Sequence, residues 1–318
     1  MTSSSDSIDI SLSGVYRSWY AFRAGKRQSR SIITFEYHLE NNLDQIAKDL
    51  QNNQYRHGSY VHLVVQESKR RSIAVAHVRD RVVHRLLYDY FVPRMDSHFD
   101  YDVWSCRQNK GLQQAIIRSQ ELMKRHPDSW VWRGDVSKFF DSVNHKTLKT
   151  IVRRCINDRT TLEILDEVIS SYSSNPGTGI AIGNLTSQIL SNVYLNEFDR
   201  YARHELKPLA YLRYGDDFIM FFPSRVKTVE AQKLGTTFLK SELQLTIHKH
   251  NNVIVKVRDG LHFLGVRLFV NGMKIQPHTW QRMKSRINEV NYSSYRGFTN
   301  NVGSKAQKKS ILWQNIGH

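Results

Sequence analysis

Three aspartates lie in or between apolar segments, in a pattern that suits metal-assisted chemistry. Asp216 and Asp217 form the tip of a hairpin pattern over 211–222, and Asp135 lies near the end of the apolar segment 130–136. Carboxylates are hard oxygen ligands, and Mg²⁺ binds through a few of them together with waters and substrate phosphates. On neighbouring strands the three acids could hold two ions that assist the transfer of a phosphoryl group. An Asp-Asp pair by itself is more often an acidic turn, so the surrounding sequence must decide.

The hydropathy pattern places these acids in a chain of mixed helices and strands. Asp259-Gly260 separates two further apolar runs and predicts a second hairpin over 253–270. No internal repeat and no long linker interrupts the pattern, so the sequence predicts one α+β body. Helical spacing occurs over 35–53, 79–91, 112–124 and 185–204, and strand patterns occur over 61–65, 73–76, 130–136, 211–214 and 218–222.

The chain of 318 residues carries a formal net charge of +17, and this charge is concentrated in three segments. Residues 17–30 hold five Lys or Arg and no acid, residues 69–85 hold six and one acid, and residues 274–318 hold eight and one acid. These segments account for the whole surplus. Because concentrated positive charge binds phosphates by displacing their counterions, the pattern indicates a nucleic-acid partner. A merely basic protein without such a partner is the alternative that charge leaves open.

The composition excludes several other classes of protein. With 40% hydrophobic and 24% charged residues, the chain is not composed like a disordered protein. Its apolar runs reach about five residues, against the ~20 that a membrane helix requires, so we expect no membrane association. The first residues lack the basic and apolar regions of a secretory signal, and Cys106 and Cys155 make no disulfide framework. These features predict a cytoplasmic protein.

Six blocks of sequence around the three aspartates follow the order of one known family. Residues 214–217 read Tyr-Gly-Asp-Asp, and residues 132–141 read Trp-Arg-Gly-Asp-Val-Ser-Lys-Phe-Phe-Asp. They resemble the Tyr-x-Asp-Asp signature and the first palm motif of reverse transcriptases, and the chain is similar to the bacterial and phage members of that family. Four other blocks also match. Residues 69–73 and 79–83 resemble two finger motifs, residues 105–111 resemble the block that follows them, and residues 263–266 resemble the primer-grip hairpin.

The resemblance implies a right-hand polymerase whose antiparallel palm sheet bears the Tyr-Gly-Asp-Asp hairpin. Asp135, Asp216 and Asp217 are then the catalytic residues and the ligands of two Mg²⁺ ions, which Mn²⁺ could replace. The implied domains are a flexible N-terminal tail over 1–14, fingers over 15–87, a palm over 88–272 with a finger-side insertion around 145–180, and a short basic helical thumb over 273–318.

Several residues match positions that bind the incoming nucleotide in this family. Lys69 and Arg71 are candidates to neutralise the triphosphate, and a solvated charged turn is their alternative reading. Phe140 stands five residues after Asp135, where a ring would exclude a 2′-hydroxyl and select deoxynucleotides, although Phe is also a good core residue. Gly183 would allow the backbone to approach the nucleotide closely.

A proton donor and a primer grip also follow from the resemblance. One of His248, Lys249 and His250 is a candidate proton donor to pyrophosphate, and Lys249 is the choice among them, although a surface role is the more ordinary reading of a lysine there. Phe263, Leu264 and Gly265 match the primer grip, which would hold the end of the growing strand.

The block at 182–188 narrows the resemblance to one subfamily. Most reverse transcriptases have Gln-Gly-x-x-x-Ser-Pro here, whereas this chain has Ile182 in place of the first Gln and Gln188 in place of Pro. The block is similar to that of diversity-generating retroelements, whose enzymes copy a template-repeat RNA with errors at adenines. An apolar Ile182 beside the nucleotide would remove a polar contact and so lower discrimination between correct and wrong pairs. The alternative reading is that Ile182 is an ordinary core residue.

The resemblance therefore implies an RNA-directed DNA polymerase that makes cDNA for mutagenic retrohoming. Its substrates would be a template RNA, the RNA/cDNA duplex and deoxynucleoside triphosphates, and a basic accessory protein would be its partner. Two other functions stay open. An antiviral-defence or retron-like reverse transcriptase shares the finger and palm blocks, and a non-catalytic RNA-binding scaffold would share the fold. A template repeat beside a variable gene copy in the encoding genome would favour the retroelement.

Overall fold

The computed structural model describes residues 7–26, 29–66 and 70–313, which form a mixture of helices and antiparallel sheets. The predicted mixed class is therefore confirmed. No helix within these ranges is both long and apolar enough to cross a membrane. The helices are α1 (Leu12–Arg23), α2 (Arg30–Tyr37), α3 (Leu39–Gln51), α4 (Val78–Met95), α5 (Leu112–Arg125), α6 (Phe139–Ser142), α7 (His145–Cys155), α8 (Arg159–Ser170), α9 (Leu185–Tyr201), α10 (Arg225–Ser241), α11 (Pro277–Arg286), α12 (Tyr292–Val302) and α13 (Lys305–Trp313).

The strands form three sheets in the described part of the chain. A two-stranded sheet has the order β1-β2, a four-stranded sheet the order β4-β5-β3-β6, and a three-stranded sheet the order β7-β8-β9. Every neighbouring pair of strands is antiparallel. The strands are β1 (Tyr60–Gln66), β2 (Arg70–Ala76), β3 (Trp130–Asp135), β4 (Ala210–Tyr214), β5 (Asp217–Phe222), β6 (Val253–Lys256), β7 (Leu261–Phe263), β8 (Val266–Phe269) and β9 (Gly272–Ile275).

The chain divides into two compact units. The first unit comprises Met1–Phe99, Lys138–Glu197 and Ser241–Leu245, and it contains the β1-β2 sheet and the helices packed around α4. Within its described residues, Val15 of α1, Leu43 of α3 and Val83 of α4 are fully buried, which is the expected result of one apolar face on each helix. The predicted N-terminal tail overlaps the start of α1, and residues 1–6 lie outside the described residues.

The second unit comprises Asp100–Ser137, Phe198–Lys240 and Thr246–His318, and it contains the four-stranded and three-stranded sheets. In β5 the five residues Phe218–Phe222 are all buried, so this strand has a continuous apolar sequence and not an alternating one. Trp132 of β3 packs edge-on against Phe218 and lies so close to Gly235 of α10 that a Cβ there would come within 2.6 Å of its ring. The sheet that carries the acids is thus rigidly supported.

The predicted hairpin around Asp259-Gly260 is wrong. The strand before it, β6, pairs with the free edge of β3, and the chain then makes a short 3₁₀ turn over Val257–Asp259 into another sheet. The actual hairpin joins β7 to β8 through Leu264 and Gly265, whose φ angles of 48° and 78° are those of a tight two-residue turn. An Asp-Gly pair marks a turn, but it does not decide which strands pair.

The helical spacing predicted over 35–53 is confirmed over most of that range, but the chain breaks at His38 between α2 and α3, which the pattern did not indicate. The side chain of Asn42 donates a 2.9 Å hydrogen bond to the carbonyl oxygen of Phe35. Since the last carbonyls of a helix lack partners within it, this bond stabilises the end of α2.

Candidate active site

The three aspartates lie together at one end of the four-stranded sheet. Asp135, the last residue of β3, is directly opposite Asp217, the first residue of β5, in the antiparallel register. Asp216 is in the turn between β4 and β5, and its carbonyl oxygen accepts a 3.4 Å hydrogen bond from the backbone N–H of Val136. The register of three strands therefore brings all three predicted carboxylate residues to one edge of the second unit.

Two of these carboxylates are held by side chains that sequence reasoning missed. Asn251 donates a 2.6 Å hydrogen bond to Oδ2 of Asp135, and Arg133 lies 3.3 Å from Oδ1 of Asp217. Strand alternation could have indicated Arg133, because it stands two residues before Asp135 and so shares its face of β3. Asn251 gave no signal, since it lies 116 residues away along the chain.

The electrostatics of the pair favour a bound cation. Burial is the largest cause that raises the pKa of Asp217 to about 6; the charge of Arg133 opposes this rise, and the nearby Asp135 adds to it. One arginine therefore does not neutralise the two carboxylates. A divalent cation would lower the free energy of the doubly ionised pair, and the oxygen donors suit a hard ion such as Mg²⁺.

The side chains that the structure describes do not by themselves form a closed metal cage. Within residues 7–26, 29–66 and 70–313, no group of three or more His, Cys, Asp or Glu side chains is arranged to enclose a metal ion. This arrangement still fits the predicted ion, because Mg²⁺ commonly keeps several waters and takes substrate phosphates as ligands beside one or two carboxylates.

Lys249 lies on a short 3₁₀ turn, Lys249–Asn251. Residues on either side of Lys249 bind Asp135. The backbone N–H of His248 donates a 2.7 Å hydrogen bond to the carbonyl oxygen of Asp135, and Asn251 binds the carboxylate of the same residue. The side chain of Lys249 is exposed. Its predicted role as a proton donor stays a prediction.

Most of the predicted nucleotide-binding residues belong to the first unit. The carbonyl oxygen of half-buried Ile182 accepts a 3.2 Å hydrogen bond from the N–H of Ala74 in β2. Gly183 has a φ of +103°, and a Cβ there would lie 2.5 Å from Ile73 Cγ2, so glycine is required at this contact. Gln188 is exposed near the start of α9.

The remaining nucleotide-binding candidates are only partly described. The backbone of Arg71 pairs with Val65 in the β1-β2 sheet, and its side chain lies outside the described residues, as does the whole of Lys69. Phe140 is half-buried on α6, with its ring 5.4 Å from that of Phe139 in an edge-on contact. A half-buried ring retains an accessible face.

Asn184 is a residue of this loop that sequence reasoning missed. Its side-chain amide donates a 2.7 Å hydrogen bond to the carbonyl oxygen of Ala74 and accepts a 3.3 Å bond from the N–H of Ala76. The amide thus replaces a strand residue along β2, and it fixes the Ile182–Gly183 backbone against that strand. Asparagine is so common in loops that its type alone gives no signal.

A buried histidine links α4 to the start of α9 in the first unit. His84 Nδ1 lies 2.8 Å from the hydroxyl of Thr186, and its Nε2 lies 3.0 Å from Nε2 of His57. Burial, together with the nearby His57 and Arg81, lowers the pKa of His84 to about 3. The folded protein therefore keeps this ring neutral at pH values where an unfolded chain protonates it.

We expect acid to destabilise the protein through His84. Below pH ~6.5 the unfolded chain takes up a proton that the folded chain refuses, so the free energy of unfolding falls by up to ~1.4 kcal/mol per pH unit between pH ~6.5 and ~3. Urea unfolding at pH 7 and pH 5 measures this loss. The variant His84→Gln should lose less stability than the wild type between these pH values. The control His262→Gln, at an exposed site, should lose as much as the wild type. Equal losses in all three proteins would contradict the assignment.

The predicted primer-grip residues form the β7-β8 turn of the second unit. Phe263 is fully buried in the core, whereas Leu264 and Gly265 form the turn itself. The carbonyl oxygen of Gly265 accepts a 3.0 Å hydrogen bond from the N–H of Gln276. The side chain of Phe263 thus supports the turn from inside, and Leu264 and Gly265 are half-buried, with Leu264 packed against the same core.

Comparison with known proteins identifies the family. The family described as reverse transcriptase (RNA-dependent DNA polymerase) matches residues 57–268. The chain is 28% identical over 249 residues to "Protein YkfC" of Escherichia coli K12, and the match covers 65% of each of the two chains. It is also 21% identical over 174 residues to the "Putative COX1/OXI3 intron 2 protein" of Saccharomyces cerevisiae. That match covers 52% of this chain and 20% of the relative. The matches thus span less than two thirds of the length of either relative.

The family match extends over β3, β4 and β5, the strands that carry or flank Asp135, Asp216 and Asp217. It also includes the β1-β2 sheet and the loop at Ile182 and Gly183. Since the match covers more than half of the chain and both groups of candidate residues, the chain belongs to the reverse transcriptase family.

Proposed function

We propose that this protein is an RNA-directed DNA polymerase that uses Mg²⁺ to copy RNA into cDNA. The observation that carries the proposal is the register of β3 and β5, which sets Asp135 opposite Asp217 with Asp216 in the adjacent turn. A pair of neighbouring carboxylates that one arginine does not neutralise suits the cation and the phosphates of nucleotidyl transfer. Membership of the reverse transcriptase family supports the same activity.

The residues of this chain would divide the work as follows. Asp135, Asp216 and Asp217 hold the divalent ions, and Asn251 and Arg133 fix the orientation of two of these carboxylates. When bound, the ions supply a lowered pKa for the attacking 3′-hydroxyl and neutralise charge on the transferred phosphate.

In the first unit, the proposed nucleotide contacts are of another kind. Phe140 would exclude a 2′-hydroxyl by its ring, and Gly183 would allow the backbone to approach the nucleotide. Arg71 and Lys69 would neutralise the triphosphate. In the second unit, Lys249 would donate a proton to pyrophosphate, and the turn at Leu264 and Gly265 would hold the primer.

The direct test is primer extension by the purified full chain on a DNA primer annealed to RNA. Deoxynucleotides with Mg²⁺ should give full-length cDNA, Mn²⁺ should substitute for it, and chelation of the ions should stop synthesis. Ribonucleotides in place of deoxynucleotides should be poor substrates. Extension with ribonucleotides alone would assign an RNA polymerase instead, and no extension with either would contradict the proposal.

We further propose that the polymerase serves a diversity-generating retroelement and is error-prone at template adenines. The half-buried Ile182, which lies along β2 next to Gly183, offers only apolar contact where a polar side chain would discriminate between pairs. A template-repeat RNA and a basic accessory protein would be its partners in the cytoplasm. An antiviral or retron-like role would use the same chemistry on a different RNA, so sequencing the RNA that copurifies with the protein distinguishes the two.

Replacing Ile182 by Gln should lower misincorporation opposite template adenine by about tenfold, because a hydrogen-bonding side chain restores discrimination that an apolar one lacks. Deep sequencing of cDNA made in vitro from a defined RNA measures the error at each base. Ile182→Leu is the matched control, and it should keep the wild-type error spectrum. If Gln and Leu variants give the same spectrum as the wild type, Ile182 does not set fidelity.

A further inference from the structure

Arg213 is a fully buried arginine in β4, with 1% of its side chain exposed. Its Nε and Nη2 atoms donate hydrogen bonds of 2.7 Å and 2.6 Å to the two oxygens of Asp199, which forms the buried counter-charge. Tyr211 also donates a hydrogen bond to this carboxylate through its hydroxyl. The bidentate pair satisfies the charge of Arg213, so its remaining nitrogen is available for a different contact.

That remaining nitrogen binds the turn that carries Asp216. Nη1 of Arg213 donates a 2.9 Å hydrogen bond to the carbonyl oxygen of Gly215, the residue immediately before Asp216. From the other side of the same residue, the N–H of Gly215 donates a 2.9 Å hydrogen bond to the hydroxyl of Ser105. Both peptide groups that flank Gly215 are therefore held by side chains.

The backbone around Arg213 is also fixed. Its N–H donates a 2.9 Å bond to the carbonyl oxygen of Asp102, and its carbonyl oxygen accepts a 2.9 Å bond from the N–H of Trp104. Residues 102–105 thus lie along the outer edge of β4 and bring Ser105 to the turn. The guanidinium and the serine hydroxyl are attached to backbone that cannot shift independently of the sheet.

Gly215 needs these bonds more than another residue would. It has a φ of +63°, and glycine has the widest choice of backbone conformations of any residue. A free Gly215 peptide could rotate and carry the Asp216 side chain away from Asp135 and Asp217. Because the carbonyl that Arg213 binds belongs to the peptide that begins Asp216, this bond restrains the backbone from which the Asp216 side chain extends.

We propose that Arg213 and Ser105 are positioning residues that aim the Asp216 carboxylate at the metal-binding edge of the sheet. The inference rests on the proposed function, in which Asp216 is a metal ligand. Arg213 and Ser105 act through Gly215 and touch no substrate, so their loss should weaken metal binding and turnover while the fold persists.

Ser105→Ala is the more informative variant, because it removes one bond to the turn and keeps the buried ion pair. We expect the affinity for Mn²⁺, titrated by electron paramagnetic resonance on the full chain, to fall by ~10-fold. We expect kcat for primer extension to fall by ~10–100-fold with a smaller change in the KM for deoxynucleotide, as for a catalytic group displaced by a fraction of an ångström. The melting temperature should change little.

Arg213→Lys is the second variant. A lysine keeps the positive charge beside Asp199 but cannot make the fork and also reach Gly215. It should show the same loss of Mn²⁺ affinity as Ser105→Ala, and circular dichroism will report whether it folds. Ser129→Ala is the matched control, since Ser129 is a buried serine that precedes β3 at the end opposite Asp135 and bonds a backbone carbonyl. It should bind Mn²⁺ as the wild type does.

The metal titration separates this inference from the proposed function. If the wild type binds Mn²⁺ through Asp216 but makes no cDNA, the proposed function fails and the positioning role stands. If Asp216→Asn weakens Mn²⁺ binding but Ser105→Ala leaves both the affinity and kcat unchanged, the positioning role is overturned. Equal Mn²⁺ affinity in the wild type, Asp216→Asn and Ser105→Ala also overturns it.

Discussion

The variant Asp216→Asn should lose cDNA synthesis by ~10³-fold or more, because it keeps the shape of the side chain and removes the negative charge that binds the cation. The turn should be unaffected, since the bonds that hold it involve the backbone of Gly215. Primer extension under single-turnover conditions, with enzyme in excess over primer, measures the loss in the chemical step directly.

The control for this variant is Asp259→Asn, which removes a carboxylate from an exposed position in the same unit. It should retain wild-type synthesis, so a general effect of charge on RNA binding would be visible in it. Unchanged synthesis by Asp216→Asn would remove Asp216 from the metal site. If the wild type binds RNA but makes no cDNA, the protein is instead a non-catalytic scaffold.

The second large effect is expected at Phe140. Phe140→Ala should raise the incorporation of ribonucleotides relative to deoxynucleotides by ~10²-fold, the range in which a pocket rejects an added hydroxyl by shape alone. The backbone of Phe140 is fixed by a 2.8 Å hydrogen bond from the N–H of Ile180 to its carbonyl oxygen, so truncation of the ring should not move α6. The ratio of kcat/KM for the two nucleotides is the measurement.

Phe140→Tyr is the matched control, because it keeps a ring of the same width. It should still exclude ribonucleotides. If Phe140→Ala leaves the ratio unchanged and lowers the melting temperature, the ring is a core residue and another group selects the sugar.

Local sequence was sufficient for the strands that carry the acids. The apolar runs at 130–136 and 218–222 are read correctly as strands, because their length and bounding residues leave few other choices. The approach of Asp135 to Asp217, by contrast, depends on the pairing of residues that lie 82 positions apart along the chain, and periodicity does not encode a partner. The family resemblance, and not the pattern, provided that expectation.

The supporting contacts could not be read from the sequence. Asn251, Arg213 and Asn184 are polar residues of ordinary type, and each acts through hydrogen bonds whose geometry only the packed chain defines. The failed hairpin at Asp259-Gly260 has the same origin. Its turn signal is real, but β6 pairs with β3 and not with the strand that follows it.

The amide of Asn184 has a consequence for how the first unit responds to ligands. Because Asn184 and Ile182 both bond to β2, the loop and the β1-β2 sheet lose conformational freedom together. A ligand that orders the loop or the sheet therefore also reduces the conformational entropy that the other can still lose on binding. Under the proposed function, a substrate contact on the sheet and a substrate contact at Ile182 would therefore be thermodynamically coupled, and a substitution that never touches the base pair would change fidelity.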